Sequence, residues 1–170
     1  MNQLELFKEV KTFIFDVDGV LTDSSVLVLE EGKLLRKMSI RDGFAIKHAI
    51  KSGYRVCIIT GGRNEGVKLR LQGLGVQDIY LGASEKLEVF EEYVALYELN
   101  PEQILYMGDD LPDYPVLRRV GLAACPQNAA PEILELAQYI SPFNGGDGCA
   151  RDVIEKVLRL RGDWPTTDDL

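Results

Sequence analysis

The stretch Asp16-Val17-Asp18-Gly19-Val20 places two carboxylates directly after the apolar run Phe13-Ile14-Phe15. Residues i and i+2 of an extended chain point the same way, about 6.6 Å apart. Both carboxylates can then face one small ligand, one as nucleophile or metal ligand and the other as proton donor. The alternative is a turn in which Asp and Gly only punctuate the chain. A calcium loop is excluded, because its remaining positions fall on Val20, Leu21 and Leu27, where acidic, amide, Gly and Glu residues belong.

A second acidic cluster, Gly108-Asp109-Asp110-Leu111-Pro112-Asp113, follows another apolar run, Ile104-Leu105-Tyr106-Met107. Two acidic strand ends in one sheet suggest a shared divalent cation. Oxygen ligands with no His or Cys nearby favour Mg²⁺, which is typically held by one or two carboxylates plus a substrate phosphate. Asp109 is the better ligand because it lies nearest the strand end, whereas Asp113, ahead of Tyr114-Pro115, reads most simply as a helix N-cap. The run Val56-Cys57-Ile58-Ile59 ends in Thr60-Gly61-Gly62-Arg63-Asn64, where a hydroxyl and small residues let backbone N–H groups approach a phosphate. Lys86, at the start of the helix after Leu81-Gly82, is by default a solvated surface lysine, but its position beyond a strand end makes it a candidate phosphate contact.

Arg63 and Arg70 are two helical turns apart and can line one face that meets a sugar acid; a solvated helix face is the alternative, as it is for Arg41, Lys47 and Arg151. His48, the only histidine, falls among Phe44, Ala45, Ala49 and Ile50 and reads as structural.

These residues need elements to hold them. Short apolar runs at Thr12–Phe15, Arg55–Thr60, Asp78–Leu81, Ile104–Met107, Gly121–Ala124 and Tyr139–Ser141 read as buried strands. Between them, apolar spacing of three and four predicts helices over Phe44–Ile50, Val67–Leu74, Leu87–Leu99, Tyr114–Val120, Ile133–Ala137 and Val153–Leu160. Asp42, Ser84 and Asp113 are the expected N-caps, and Gly53 and Gly75 the expected C-terminal stops. Repeated βα units predict an α/β fold of Rossmann-like type, a mostly parallel sheet with helices on both faces. Ligands in such sheets bind beyond the carboxyl ends of the strands. Residues 25–38 break the alternation and read as a β-hairpin turning near Gly32, with no room for a large cap domain. A lone two-stranded hairpin is marginal in water, so this one is expected to pack on something else, such as another subunit.

The 170 residues are about one domain. It is expected to span residues 1–161, with a flexible end over residues 162–170. A formal charge of −8 leaves no uniform field to draw the surface to nucleic acid or anionic lipid. The three cysteines, at 57, 125 and 149, form neither a CxxC pair nor an even disulfide set, which fits a reducing, cytoplasmic setting. No export signal or membrane span is read in the chain.

The order Asp16-x-Asp18-Gly19-Val20, Thr60-Gly61, Lys86 and Gly108-Asp109-Asp110-x-x-Asp113, each at a strand end, closely resembles the haloacid dehalogenase-like phosphohydrolases. Size, the hairpin where a cap would be inserted, Arg41-Asp42-Gly43 and the stretch Gly145 to Arg151 resemble the small sugar-acid phosphatases that act on 3-deoxy-D-manno-octulosonate 8-phosphate. The similarity covers nearly the whole chain. It implies that Asp16 attacks phosphorus to form an aspartyl-phosphate, while Asp18 protonates the leaving alcohol and then activates water. It implies Mg²⁺ on the Asp16 and Asp109 carboxylates and the Asp18 carbonyl, with Thr60 and Lys86 on the phosphate. By family position, Asp18, Ser39, Arg41, Asp42, Gly43, Lys47, Gly61, Arg70, Lys86 and Arg151 fall where substrate is contacted, and the assembly is a homotetramer. The family often shows Thr-Gly-Arg; here Gly62 follows Gly61 and the arginine comes one place later, at Arg63, which is included among the expected substrate contacts.

Three rivals remain. One is a phosphatase of a nonulosonic acid 9-phosphate. Another is a phospho-receiver module, whose acceptor normally lies on a middle strand, unlike the Asp16–Asp18 pair on the first. The last is a catalytically silent assembly domain, against which intact Asp16, Asp18, Lys86 and Asp109 argue.

Overall fold

The computed structural model describes residues 1–170. Six strands form one parallel sheet in the order β5-β4-β1-β6-β7-β8, with β1 Thr12–Phe15, β4 Arg55–Ile59, β5 Asp78–Tyr80, β6 Ile104–Met107, β7 Leu122–Pro126 and β8 Tyr139–Ser141. The predicted α/β class is what the chain adopts. Strand β1 is central, paired to β4 on one side and β6 on the other. That order brings the ends of β1, β4 and β6, with their Asp16, Thr60 and Asp109, side by side.

Alternation along each strand divides the core into two layers. Phe13, Phe15, Val56, Ile58, Leu105 and Met107 face helices α1 (Gln3–Glu9), α2 (Ile40–Lys51), α3 (Glu65–Gly73) and α7 (Cys149–Arg161). Ile14, Cys57, Ile59, Ile104 and Tyr106 face α4 (Lys86–Leu96), α5 (Tyr114–Leu117) and α6 (Pro131–Leu136). Both sheet faces are therefore covered, as buried parallel strands require. The three cysteines are free and buried, which agrees with their reading as small hydrophobes. No helix is long and apolar enough to cross a membrane.

The hairpin is present as β2 (Leu27–Val28) and β3 (Leu34–Leu35), antiparallel, with Gly32 at φ +85° in the turn. Its apolar side chains are exposed: Leu27 63%, Val28 64%, Leu34 40% and Leu35 46%.

Several local expectations are corrected. Helix α2 starts four residues before the predicted Phe44, and its N-cap is Ser39, whose hydroxyl accepts a hydrogen bond from Asp42 N at 3.2 Å. Asp42 sits inside the first turn, buried. Helix α4 starts after Glu85 without a side-chain cap, so Ser84 does not cap it. Asp113 makes no capping bond to α5; the preceding turn is capped by Asp110. Packing also continues into the segment expected to be a free end. Asp163 accepts a 2.6 Å hydrogen bond from Tyr54 Oη, and Trp164, only 7% exposed, meets Phe44 and His48 edge-on.

Candidate active site

Asp16 follows Phe15 and keeps the parity of Ile14, so its carboxylate points to the sheet face that α4 covers. Lys86, the first residue of α4, meets it there: Nζ lies 3.0 Å from Asp16 Oδ2 and 2.7 Å from Asp113 Oδ1. A cation at a helix N-terminus opposes the helix dipole, and burial further disfavours the charge. The two carboxylates outweigh both effects and hold the Lys86 pKa above its ordinary value. Burial, then the nearby Asp113 charge, push the Asp16 carboxyl up to about 7 in spite of Lys86. Asp109 is likewise pushed up to about 7, by burial and then by Asp16 and Asp113.

These carboxylates do not have equal freedom. Asp113 is fully buried, and its oxygens are engaged: Oδ1 accepts from Lys86 Nζ and from Tyr106 Oη at 2.6 Å, and Oδ2 accepts from Asp109 N at 3.0 Å. Asp109 Oδ1, by contrast, is buried with no hydrogen-bond partner. Carboxylate oxygens of Asp16, Asp109 and Asp113 lie within 4.8 Å of one another. Like charges so close, facing one lysine and leaving one buried oxygen without a partner, suit a divalent cation with oxygen ligands. Asp16 and Asp109 are the carboxylates available to hold it. Gly19 makes this approach possible: at φ +87° it tolerates a conformation other residues rarely adopt, and a Cβ there would fall on the Asp109 carboxylate.

A cavity of about 370 Å³ opens over this centre, lined by Asp16, Asp18, Thr60, Gly61, Lys86 and Asp109 among others. The predicted strand-end residues are thus brought together in one place. Thr60 is buried, and its Oγ1 accepts from Gly62 N at 3.3 Å, which folds the Thr60-Gly61-Gly62 turn over the cavity.

The other expected substrate contacts do not line that cavity. Ser39 caps α2, and Oδ1 of Asp42, which is 2% exposed, accepts a hydrogen bond from Arg151 N at 2.9 Å, clamping α2 to the start of α7. Gly43 is buried beneath Arg70, since a Cβ on it would stand 2.7 Å from Arg70 Nη2. Lys47 is exposed on α2. Arg63 lies over Gly82, whose added Cβ would be 2.7 Å from Arg63 Nε. Arg41 and Arg151 line a separate cavity of about 660 Å³ beside Asp152, Glu155, Lys156 and Arg159. Arg151 also donates from Nε to Glu155 at 3.1 Å. Ser39 caps α2, which carries Arg41, Asp42, Gly43 and Lys47; Arg70 is on α3 and Arg151 on α7, helices that pack on the other face of the sheet, while Arg63 lies in the loop between β4 and α3. His48 bonds Asp163 O at 2.8 Å and stacks on Phe44, as a structural histidine does.

Sequence reasoning missed two contributors. Tyr106, inside an apolar strand, supplies a hydroxyl to Asp113. Arg36, from the hairpin's return arm, donates to both oxygens of Asp18, Nε to Oδ1 at 2.7 Å and Nη2 to Oδ2 at 3.2 Å. Nothing local marks either, since both partners are distant in function or in sequence.

A model of the haloacid dehalogenase-like hydrolase family matches residues 72–152, the span that carries Lys86, Asp109 and Asp113. The 3-deoxy-D-manno-octulosonate 8-phosphate phosphatase of Yersinia pestis is 38% identical over 149 residues, covering 88% of this chain and 80% of the relative. That of Escherichia coli strain K12 is 36% identical over 155 residues, 91% of this chain and 82% of the relative. The crystal structure of the Yersinia pestis enzyme superposes with a TM-score of 0.91 at 35% identity, over 94% of this chain and 86% of that one. The Moraxella catarrhalis enzyme, in complex with magnesium, phosphate and the KDO molecule, superposes at 0.89 with 29% identity, over 92% and 90%. With its strand-end carboxylates, threonine and lysine converging as they do, the chain belongs to the haloacid dehalogenase-like hydrolases and is a phosphomonoesterase.

Proposed function

We propose that this chain is a Mg²⁺-dependent phosphatase that hydrolyses 3-deoxy-D-manno-octulosonate 8-phosphate, releasing the eight-carbon sugar acid and phosphate in the cytoplasm for lipopolysaccharide synthesis. The observation that carries this is the convergence of Asp16, Asp18, Thr60, Lys86 and Asp109 on one cavity, in a chain 38% identical to a relative of that name.

In the first displacement an Asp16 oxygen bonds to phosphorus as the ester P–O bond breaks, and Asp18, as the acid, gives its proton to the leaving alcohol. In the second, Asp18 takes a proton from water as the water oxygen attacks phosphorus, and phosphate departs with the Asp16 carboxylate restored. Lys86 and Thr60 bind the phosphate oxygens, and Asp113, through its pair with Lys86, fixes where that cation stands. Mg²⁺ would be held by the Asp16 and Asp109 carboxylates and the Asp18 carbonyl, and would supply positive charge to the transferring group.

The exposed apolar hairpin supports a homotetramer with hairpins packed between subunits. In that assembly the cations that one chain leaves off its own cavity, Arg41, Lys47, Arg63, Arg70 and Arg151, are available to a neighbour's substrate. A second reading, the phosphatase of a nonulosonic acid 9-phosphate, is favoured by the shift of the family arginine from position 62, here glycine, to Arg63. Comparing kcat/KM for the eight-carbon 8-phosphate and a nonulosonic acid 9-phosphate tests this. Preference for the former is expected; preference for the latter overturns the substrate while leaving the chemistry.

A further inference from the structure

The hairpin is held to the site by its return arm at two points. Asn64 Nδ2, in the loop after β4, donates to Leu34 O at 2.8 Å. Two residues on, Arg36 turns inward and grips Asp18 through a two-point guanidinium–carboxylate pair, 9% exposed on the arginine side. Such a fork fixes both the place and the plane of a carboxylate, which a single hydrogen bond cannot do. The space for it exists because residue 62 is glycine: a Cβ at Gly62 would stand 3.4 Å from Arg36 Nη2 and 3.4 Å from Asp18 Oδ2. A β-carbon alone would just fit there; a long side chain would occupy the guanidinium's place.

We propose that Arg36 is the positioning residue for Asp18, delivered by the hairpin, and that Gly62 is the vacancy that admits it. Arg36 sets the plane of the Asp18 group beside the cavity; in the acid form one oxygen keeps its hydrogen bond from Arg36 Nε while the other carries the proton that passes to the ester oxygen as the alcohol departs. No other side chain bonds the Asp18 carboxylate. Without the fork the group rotates freely about its own side-chain bonds, and fewer of its orientations reach the leaving oxygen. The inference rests on the reading of Asp18 as the general acid.

The test uses three esters and reads kcat/KM, which reports only steps up to departure of the alcohol. The esters are the sugar-acid 8-phosphate, a simple alkyl phosphate with no carboxylate, and p-nitrophenyl phosphate, whose leaving group departs without a proton. For Arg36→Met, kcat/KM falls about 10- to 100-fold for both alkyl esters and less than threefold for p-nitrophenyl phosphate, in line with the usual size of general acid catalysis. Arg36→Lys recovers part of the loss. An equal loss on all three esters would make Arg36 merely structural, and a loss confined to the sugar-acid ester would make it a substrate-carboxylate contact; either overturns the proposal. Asp18→Asn is run beside them. If it shows the leaving-group pattern and Arg36→Met does not, the inference alone fails. If Asp18→Asn shows no such pattern, the acid role of Asp18 fails and the positioning role falls with it.

Discussion

Lys86 Nζ stands closer to Asp113, at 2.7 Å, than to Asp16, at 3.0 Å. Asp113, which has no direct part in the proposed chemistry, therefore holds the cation beside the proposed nucleophile, Asp16. Asp113→Asn keeps the shape but removes the charge that fixes Lys86, so phosphate release should fall by about 100-fold, on the scale of a lost charge-stabilising contact. Asp113→Leu leaves a buried lysine short of a partner and three donors unpaired, and should cost about 3–5 kcal/mol of stability. Urea unfolding and phosphate-release assays on the two variants check both figures.

Activity should vanish on metal removal. Burial and the Asp113 charge raise Asp16 to about 7, and burial with the Asp16 and Asp113 charges raises Asp109 to about 7, so an incoming phosphate adds negative charge where it is already disfavoured. Lys86, already shared between Asp16 and Asp113, is not enough to offset it. Turnover in excess chelator should drop by at least about 1,000-fold and return with added Mg²⁺; undiminished turnover in chelator would contradict the metal assignment.

The clamp between α2 and α7 predicts a pH effect on stability. Burial raises the Asp42 carboxyl to about 6, against the hydrogen bond and charge of Arg151 that lower it. Its folded pKa therefore lies above the unfolded value of about 4, so the folded state holds the proton more tightly between the two. Its contribution to stability is complete below about pH 4 and is lost as pH rises through about 6. Asp42→Asn removes that loss. Relative to wild type, the variant should gain up to about 3 kcal/mol on going from pH 4 to pH 7, measured by urea unfolding at both pH values; a constant difference would contradict the account.

Much of this was legible in the sequence, and the rest follows a pattern. The strands at Thr12–Phe15 and Ile104–Met107 have the bounds their apolar runs announce, because fully buried parallel strands carry an unbroken signal; the edge strand Tyr139–Ser141 matches its bounds although Ile140 is exposed. Asp16, Asp18, Thr60 and Asp109 were legible because each follows a strand end, where chain order alone places it, and Lys86 because it opens the helix after the next strand. Helix α1 was not read: it is seven residues long, with only Phe7 buried, although Asn2 and Glu5 form a capping box that could have revealed it. Asp113 was misread as a cap because a cap and a buried ion-pair partner look alike before a helix. Arg36 had no local signal at all, since its partner is 18 residues away and the hairpin's direction is set by tertiary packing.

The hairpin's exposed Leu27, Val28 and Leu35 should hold the assembly together. Replacing Leu27 and Leu35 with Glu puts like charges on opposed positions of a two-stranded ribbon and in the contact between copies. Light scattering at micromolar concentration should report a tetramer for wild type and smaller species for the double variant. A wild-type monomer would contradict the assembly.

The central claim is that Asp16 is the nucleophile of a sugar-acid phosphatase. The most direct measurement is phosphate release from 3-deoxy-D-manno-octulosonate 8-phosphate, with Mg²⁺, by wild type and Asp16→Asn, with thermal unfolding of both. The account predicts turnover by wild type and a loss of at least about 1,000-fold in the variant, because an amide is too poor a nucleophile to take the phosphoryl group. The melting temperature should be unchanged or higher, since the substitution relieves repulsion with Asp113. An Asp16→Asn protein within tenfold of wild type would contradict the account.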